Sequence, residues 1–102
     1  MKMKVYKSKT DIDPSNFLRN AGYGFIIDRH DSKESFVRRL GSGHYPRFHM
    51  YVTETEDSYI FDLHIDHQQS SLAKRRHKSE YEGDRVLEEL KRLKGIIDSG
   101  KR

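Results

Sequence analysis

The sequence predicts an α+β domain: a small, mainly antiparallel sheet built around a central hairpin, with two or three helices packed on one face. Three observations carry this. From Phe48 to His67, apolar and polar residues alternate on both sides of a polar turn, the period-two pattern of strands with one buried face. Val86, Leu90, Leu93 and Ile97 recur at helical spacing, which aligns them as one apolar stripe. Asp13-Pro14 joins a capping side chain to a residue whose fixed φ suits the first helical position.

The hairpin is the most legible element. In its first run Phe48, Met50 and Val52 point one way, and His49, Tyr51 and Thr53 the other. In the second, Tyr59, Phe61, Leu63, Ile65 and His67 share a face opposite that of Ile60, Asp62, His64 and Asp66. Burial sets the register, because a slip of one residue would exchange the apolar and polar faces. Opposing Thr55 with Ser58 leaves Glu56 and Asp57 as the loop, and sets Thr53 against Ile60, Tyr51 against Asp62 and His49 against His64. His49, Tyr51, Asp62, His64 and Asp66 then gather on the face away from the core, with opposed side chains about 5 Å apart.

Taken in order, residues 1–12 read either as a short strand through Met3, Val5 and Tyr6 or as a loose basic end. The helix opened by Asp13 places Phe17, Leu18 and Ala21 on one face and ends at Gly22 in a left-handed cap. Tyr23 to Asp28 reads as a short buried strand. Asp31 or Ser32 caps a second helix that ends at Gly41, with Phe36, Val37 and Leu40 as its apolar stripe. Gly41-Ser42-Gly43 then leads into the hairpin. A Gly-rich turn among bases can hold a phosphate through backbone amides, but this one lacks the spacing of a P-loop, and ordinary helix termination is the favoured reading. Residues 68–83 form a long polar loop, of a length that is usually functional or disordered. The last helix runs from Gly83-Asp84 to about Asp98, packs on the apolar face of the hairpin and carries Arg85/Glu89 and Glu88/Arg92 as i,i+4 pairs. No repeat or internal boundary interrupts the 102 residues, so 1–102 reads as a single domain.

Hydrophobic residues make up 33% and charged residues 35% of the chain, which gives a lean core without the composition of a disordered chain. There are no cysteines, so disulfides and thiolate metal sites are excluded. No run approaches the ~20 apolar residues of a membrane span, and the start has no apolar h-region of a secretory signal. A cytoplasmic protein without membrane association is the expectation. The formal charge is +4, and the bases are clustered. Arg29 to Arg47 holds five Lys/Arg against two acids, Glu54 to Asp66 holds five acids and no base, and Lys74 to Lys78 holds four bases and no acid. Clustered bases suit a polyanion; a solvated surface explains them as well.

One local resemblance bears on that partner. Ala21-Gly22-Tyr23-Gly24-Phe25-Ile26 resembles the RNP1 motif of RNA-recognition and cold-shock domains, whose aromatics two residues apart stack on bases. The resemblance implies that role for Tyr23 and Phe25. The reading from the residues alone is that Gly22 caps a helix while Phe25 and Ile27 fill the core.

Three functional readings follow. The first is nucleic-acid binding, favouring RNA or single strands: Arg38, Arg39, Arg47, Lys74, Arg75, Arg76 and Lys78 meet phosphates while Tyr23, Tyr45, Tyr51 or Tyr81 stack on bases. The second is a metal-dependent hydrolase, a nuclease or phosphodiesterase. Here His49, Asp62, His64 and Asp66 supply nitrogen and oxygen ligands suited to Zn²⁺ or Mn²⁺, His49, Asp62 and His64 carry catalysis, and His77 and Tyr81 complete the site from the loop. The third is a protein-interaction module. The oligomeric state is not specified by any of these features.

Overall fold

Residues 1–27, 33–67 and 79–99 are described by a computed structural model, the first four of the last stretch by backbone alone. Five strands form one antiparallel sheet: β1 (Lys2–Tyr6), β2 (Gly24–Ile27), β3 (Glu34–Arg39), β4 (Arg47–Glu54) and β5 (Ser58–Asp66), in the order β1-β5-β4-β3-β2. Two helices, α1 (Pro14–Asn20) and α2 (Ser79–Ser99), complete an α+β fold. Among the described residues no helix is long and apolar enough to cross a membrane.

The alternation around Phe48 to His67 sets the register of β4 against β5. His49 faces His64, Tyr51 faces Asp62 and Thr53 faces Ile60. The Thr55 amide donates to the Ser58 carbonyl at 2.8 Å, which closes the chain around Glu56 and Asp57. The inner face of the sheet carries Val5, Phe36, Phe48, Met50, Phe61 and Leu63, all buried. Phe17 and Leu18 of α1 and Val86, Leu90, Leu93 and Ile97 of α2 belong to the same core. Each fully buried side chain of this kind contributes about 1.5–3 kcal/mol through area removed from water.

Local signals at α1 act as the sequence implies. The Asp13 carboxylate accepts from the Asn16 amide at 3.1 Å, Pro14 occupies the first turn, and Gly22 takes φ 105° just past the end. Only glycine adopts that left-handed backbone without strain.

Two expectations are corrected and one open alternative is resolved. Within the segment expected as a helix from Asp31 or Ser32 to Gly41, Glu34–Arg39 is β3, so two α-helices are present among the described residues. Hydrogen bonding to β2 on one side and β4 on the other overrides the weak helical spacing of Phe36, Val37 and Leu40. Of the two readings of residues 1–12, the short strand through Met3, Val5 and Tyr6 is the one present: β1 pairs along β5, and the Met1 amine adds a 3.0 Å bond to the Leu63 carbonyl. β2 is an edge strand rather than a buried one. Phe25 and Ile27 are 43% and 57% exposed, and Phe25 meets the core through an edge contact with Phe36.

The register of α2 is fixed by a buried carboxylate. Glu89, which falls at i,i+4 from Arg85, is 4% exposed. It accepts two 2.8 Å bonds from Arg92 and one of 2.6 Å from the Tyr23 hydroxyl, with Arg38 at 3.6 Å. Arg92 also donates to the Ala21 carbonyl at 2.8 Å, so the cluster ties α2 to the turn between α1 and β2. Burial alone would raise the Glu89 carboxyl; the hydrogen bonds from Arg92 and Tyr23 outweigh it and hold it below the usual carboxylate range. Burial, then the bond to Glu89, pushes the Tyr23 hydroxyl upward.

Candidate metal centre

On the outer face of the sheet, directly paired strand residues form rows. One row is Arg39, Arg47 and Asp66; the next is Val37, His49 and His64. Period-two alternation puts these side chains opposite the core, and the register of the consecutive strands β4 and β5 brings two histidines and an aspartate together.

His49 is the centre of the group. Its Nδ1 lies 2.7 Å from Asp66 Oδ2 and its Nε2 lies 2.9 Å from Ser35 Oγ. The Tyr51 and His64 rings flank it, with centroids 4.6 and 5.1 Å away. It is 8% exposed, so it is not the solvent-facing histidine that strand alternation suggests. His64 Nε2 lies 3.5 Å from Asp66 Oδ1, and the His64 side chain is 46% exposed. Arg47 Nε is 3.5 Å from Asp66 Oδ2. Burial alone would raise the Asp66 carboxyl, but the hydrogen bonds to His49 and then His64 hold it well below the usual carboxylate range.

His49, His64 and Asp66 each present a ligand atom, all within 4.8 Å of one another, and could hold a metal ion. The donor set fits: two imidazole nitrogens and a carboxylate oxygen suit Zn²⁺ or Mn²⁺. Bonds of about 2.1 Å place neighbouring donors roughly 3–3.5 Å apart. Closing the group around an ion therefore asks mainly for rotation of the exposed His64. Ser35 fits as well. Its hydroxyl both donates and accepts, so it satisfies Nε2–H of His49 when Nδ1 is the coordinating atom, the outer-shell partner that a metal-bound imidazole needs.

Asp66, His49 and Ser35 also form a carboxylate–imidazole–hydroxyl chain. In a hydrolytic triad the hydroxyl faces the substrate. Ser35 is 1% exposed, so it positions His49 and is not presented as a nucleophile.

The remaining site expectations divide. Asp62 stands outside the ligand group: its carboxylate lies 3.5 Å from the Met1 amine, and its row partners are Tyr51 and Lys2. Tyr23 is 4% exposed and bonded to Glu89, so it has no free ring face for a base. Arg38 lies on the inner side, 3.6 Å from Glu89 and over the Phe48 ring. Arg39, Arg47 and Tyr51 are on the outer face beside His49 and His64. Lys74, Arg75, Arg76, His77 and Lys78 lie outside the described residues, as does the Tyr81 side chain. Ser35 is the residue that sequence reading missed. Its signal is the alternation of Ser35, Val37 and Arg39 against Glu34, Phe36 and Arg38, which has meaning only once the segment is read as a strand.

No protein-family model, curated protein or solved structure matches this chain. The geometry of the outer face carries the functional reading.

The carboxylate environment has a consequence for acid stability. Asp66 is held below its unfolded value of about 3.9, so its ionised form stabilises the fold above that pH, and this contribution is lost as the pH falls below it. Glu89 acts in the same direction, so the measurement is a comparison. Urea midpoints of the metal-free protein and Asp66→Asn, taken between pH 7 and pH 3, are expected to differ most at neutral pH, with the gap starting to narrow only below about pH 4. A constant gap would show that the Asp66 interactions do not depend on its charge.

Proposed function

We propose that this protein is a divalent-metal-dependent hydrolase, with His49, His64 and Asp66 as metal ligands. The observation that supports it is a group of three protein donors with one exposed member, His64. Structural sites are closed by four protein ligands, whereas catalytic sites keep a position for water. A divalent ion supplies a water of lowered pKa and a Lewis acid for the substrate oxygen. The chain supplies the rest. Ser35 accepts from Nε2–H and so fixes the His49 tautomer that coordinates through Nδ1, Asp66 brings negative charge, and the Tyr51 ring forms a wall of the site.

A second reading, single-stranded nucleic-acid binding on the same face, is favoured by one observation. The Tyr51 and His64 rings are stacked at 5.7 Å on the face that carries Arg39 and Arg47, and aromatics beside bases suit unpaired strands.

One experiment separates them. Calorimetric titration of Zn²⁺ and Mn²⁺ is followed by incubation of labelled single-stranded RNA with and without the metal, for wild type and Asp66→Asn. The hydrolase reading expects one ion per chain and metal-dependent shortening of the probe, both lost in Asp66→Asn. Retention of intact probe without metal would favour the binding reading. Failure of wild type to bind either ion would overturn the hydrolase.

A further inference from the structure

The row beside the metal ligands pairs two arginines. Arg39 and Arg47 are direct cross-strand partners on the outer face, and like charges in that relation repel. Among the described residues neither is fully compensated. Arg39 Nη2 lies 3.3 Å from a ring nitrogen of His44, which is no anion. Arg47 stacks over the Tyr45 ring at 4.6 Å and approaches Asp66, yet its Nε is buried with no hydrogen-bond partner among the described residues.

The geometry points to a phosphoryl-oxyanion subsite formed by Arg39 and Arg47, directly beside the metal centre and coupled to it. This rests on the metal reading and names its substrate class: a phosphate ester, held by the arginines with its reacting phosphorus towards His49, His64 and Asp66. Guanidinium forks match a phosphoryl group, with two parallel donors to two oxygens. The chemistry of Asp66 gives the coupling. In the metal-free protein its carboxylate is the anion facing Arg47 and would repel a second one. Once Asp66 serves a divalent ion its charge is taken up, Arg47 loses that partner, and the row becomes strongly cationic. An oxyanion then satisfies Arg47, relieves the Arg39–Arg47 repulsion and can reach the ion as well. Metal and phosphate therefore bind with positive linkage, each raising the affinity for the other.

The test uses the full chain with Mn²⁺ and inorganic phosphate as probes. Loss of the free Mn²⁺ signal in electron paramagnetic resonance measures metal binding first, without phosphate. Calorimetry then measures phosphate binding to the metal-free and Mn²⁺-loaded protein, with acetate as the carboxylate control. Phosphate is expected to bind the loaded protein at least about tenfold more tightly than the metal-free one. Arg39→Gln, which has no contact with Asp66, is expected to weaken phosphate by about tenfold or more and leave Mn²⁺ affinity unchanged. Arg47→Lys keeps the charge but loses the fork, and is expected to weaken phosphate too. If Mn²⁺ binds but phosphate does not, or if Arg39→Gln leaves phosphate binding unchanged, the subsite is wrong and the metal reading stands. Equal affinity for acetate would overturn the phosphoryl class. If Mn²⁺ itself fails to bind, both readings fall.

Discussion

Replacing His49 with alanine is expected to lower affinity for Zn²⁺ and Mn²⁺ by more than about 100-fold, beyond the 10–100-fold typical of outer-shell changes. Each of its ring nitrogens has a different partner, Asp66 on Nδ1 and Ser35 on Nε2. Alanine therefore removes a ligand and the element that orients the Asp66 carboxylate. Stability falls as well. The buried Ser35 hydroxyl loses its partner and Asp66 loses the shorter of its histidine bonds, at about 1–3 kcal/mol for a polar group left unsatisfied. Calorimetric metal titration and urea denaturation of the same variant separate the two effects. Reduced stability with unchanged metal affinity would remove His49 from the ligand set and leave it a structural histidine. Ser35→Ala calibrates the result, because an outer-shell loss should weaken the metal less than loss of the ligand itself.

Glu89→Ala is expected to be the most destabilising single change among the polar residues, at about 3 kcal/mol, the lower end of the range for breaking a buried ion pair. The lower end applies because Arg92 and Arg38 are about a third exposed and regain water once the carboxylate is gone. Tyr23, at 4% exposure, has less recourse, and its hydroxyl is left without its acceptor. The cluster also links three elements, since Glu89 of α2 faces Arg38 of β3 and Arg92 reaches the Ala21 carbonyl at the end of α1. Chemical denaturation of Glu89→Ala, Tyr23→Phe and the double variant gives the coupling between the two residues. A loss under about 1 kcal/mol for Glu89→Ala would mean that the apolar stripe of α2 alone holds the helix in place.

Much of the candidate site was legible because it follows from one strand pair. The alternation of residues 48–67 and the polar turn at Glu56 and Asp57 fix which side chains oppose each other, and His49, His64 and Asp66 come together from that register. Asp62 stands opposite Tyr51 on the outer face as expected, but alternation assigns a face and not a ligand group, and its carboxylate lies 3.5 Å from the Met1 amine. Ser35 was hidden because its segment has apolar residues at 36, 37 and 40, which fit a helix as well as a strand. Tyr23 resembles a base-stacking aromatic by its neighbours in sequence. Its real environment is set by Glu89, 66 residues away.

What the sequence by itself determined is therefore local: the period of residues 48–67, the cap and stop of α1 at Asp13 and Gly22, and the stripe Val86, Leu90, Leu93 and Ile97 on α2. These depend on side-chain spacing and backbone preference within a few residues. Only the tertiary structure decided that residues 34–39 are a strand between β2 and β4, that Glu89 is buried beneath two arginines and a tyrosine, and that Arg39 and Arg47 share a row with Asp66. The physical reason is that cross-strand hydrogen bonding and burial of a paired charge gain their energy from partners far along the chain, and spacing within a segment carries no record of those partners.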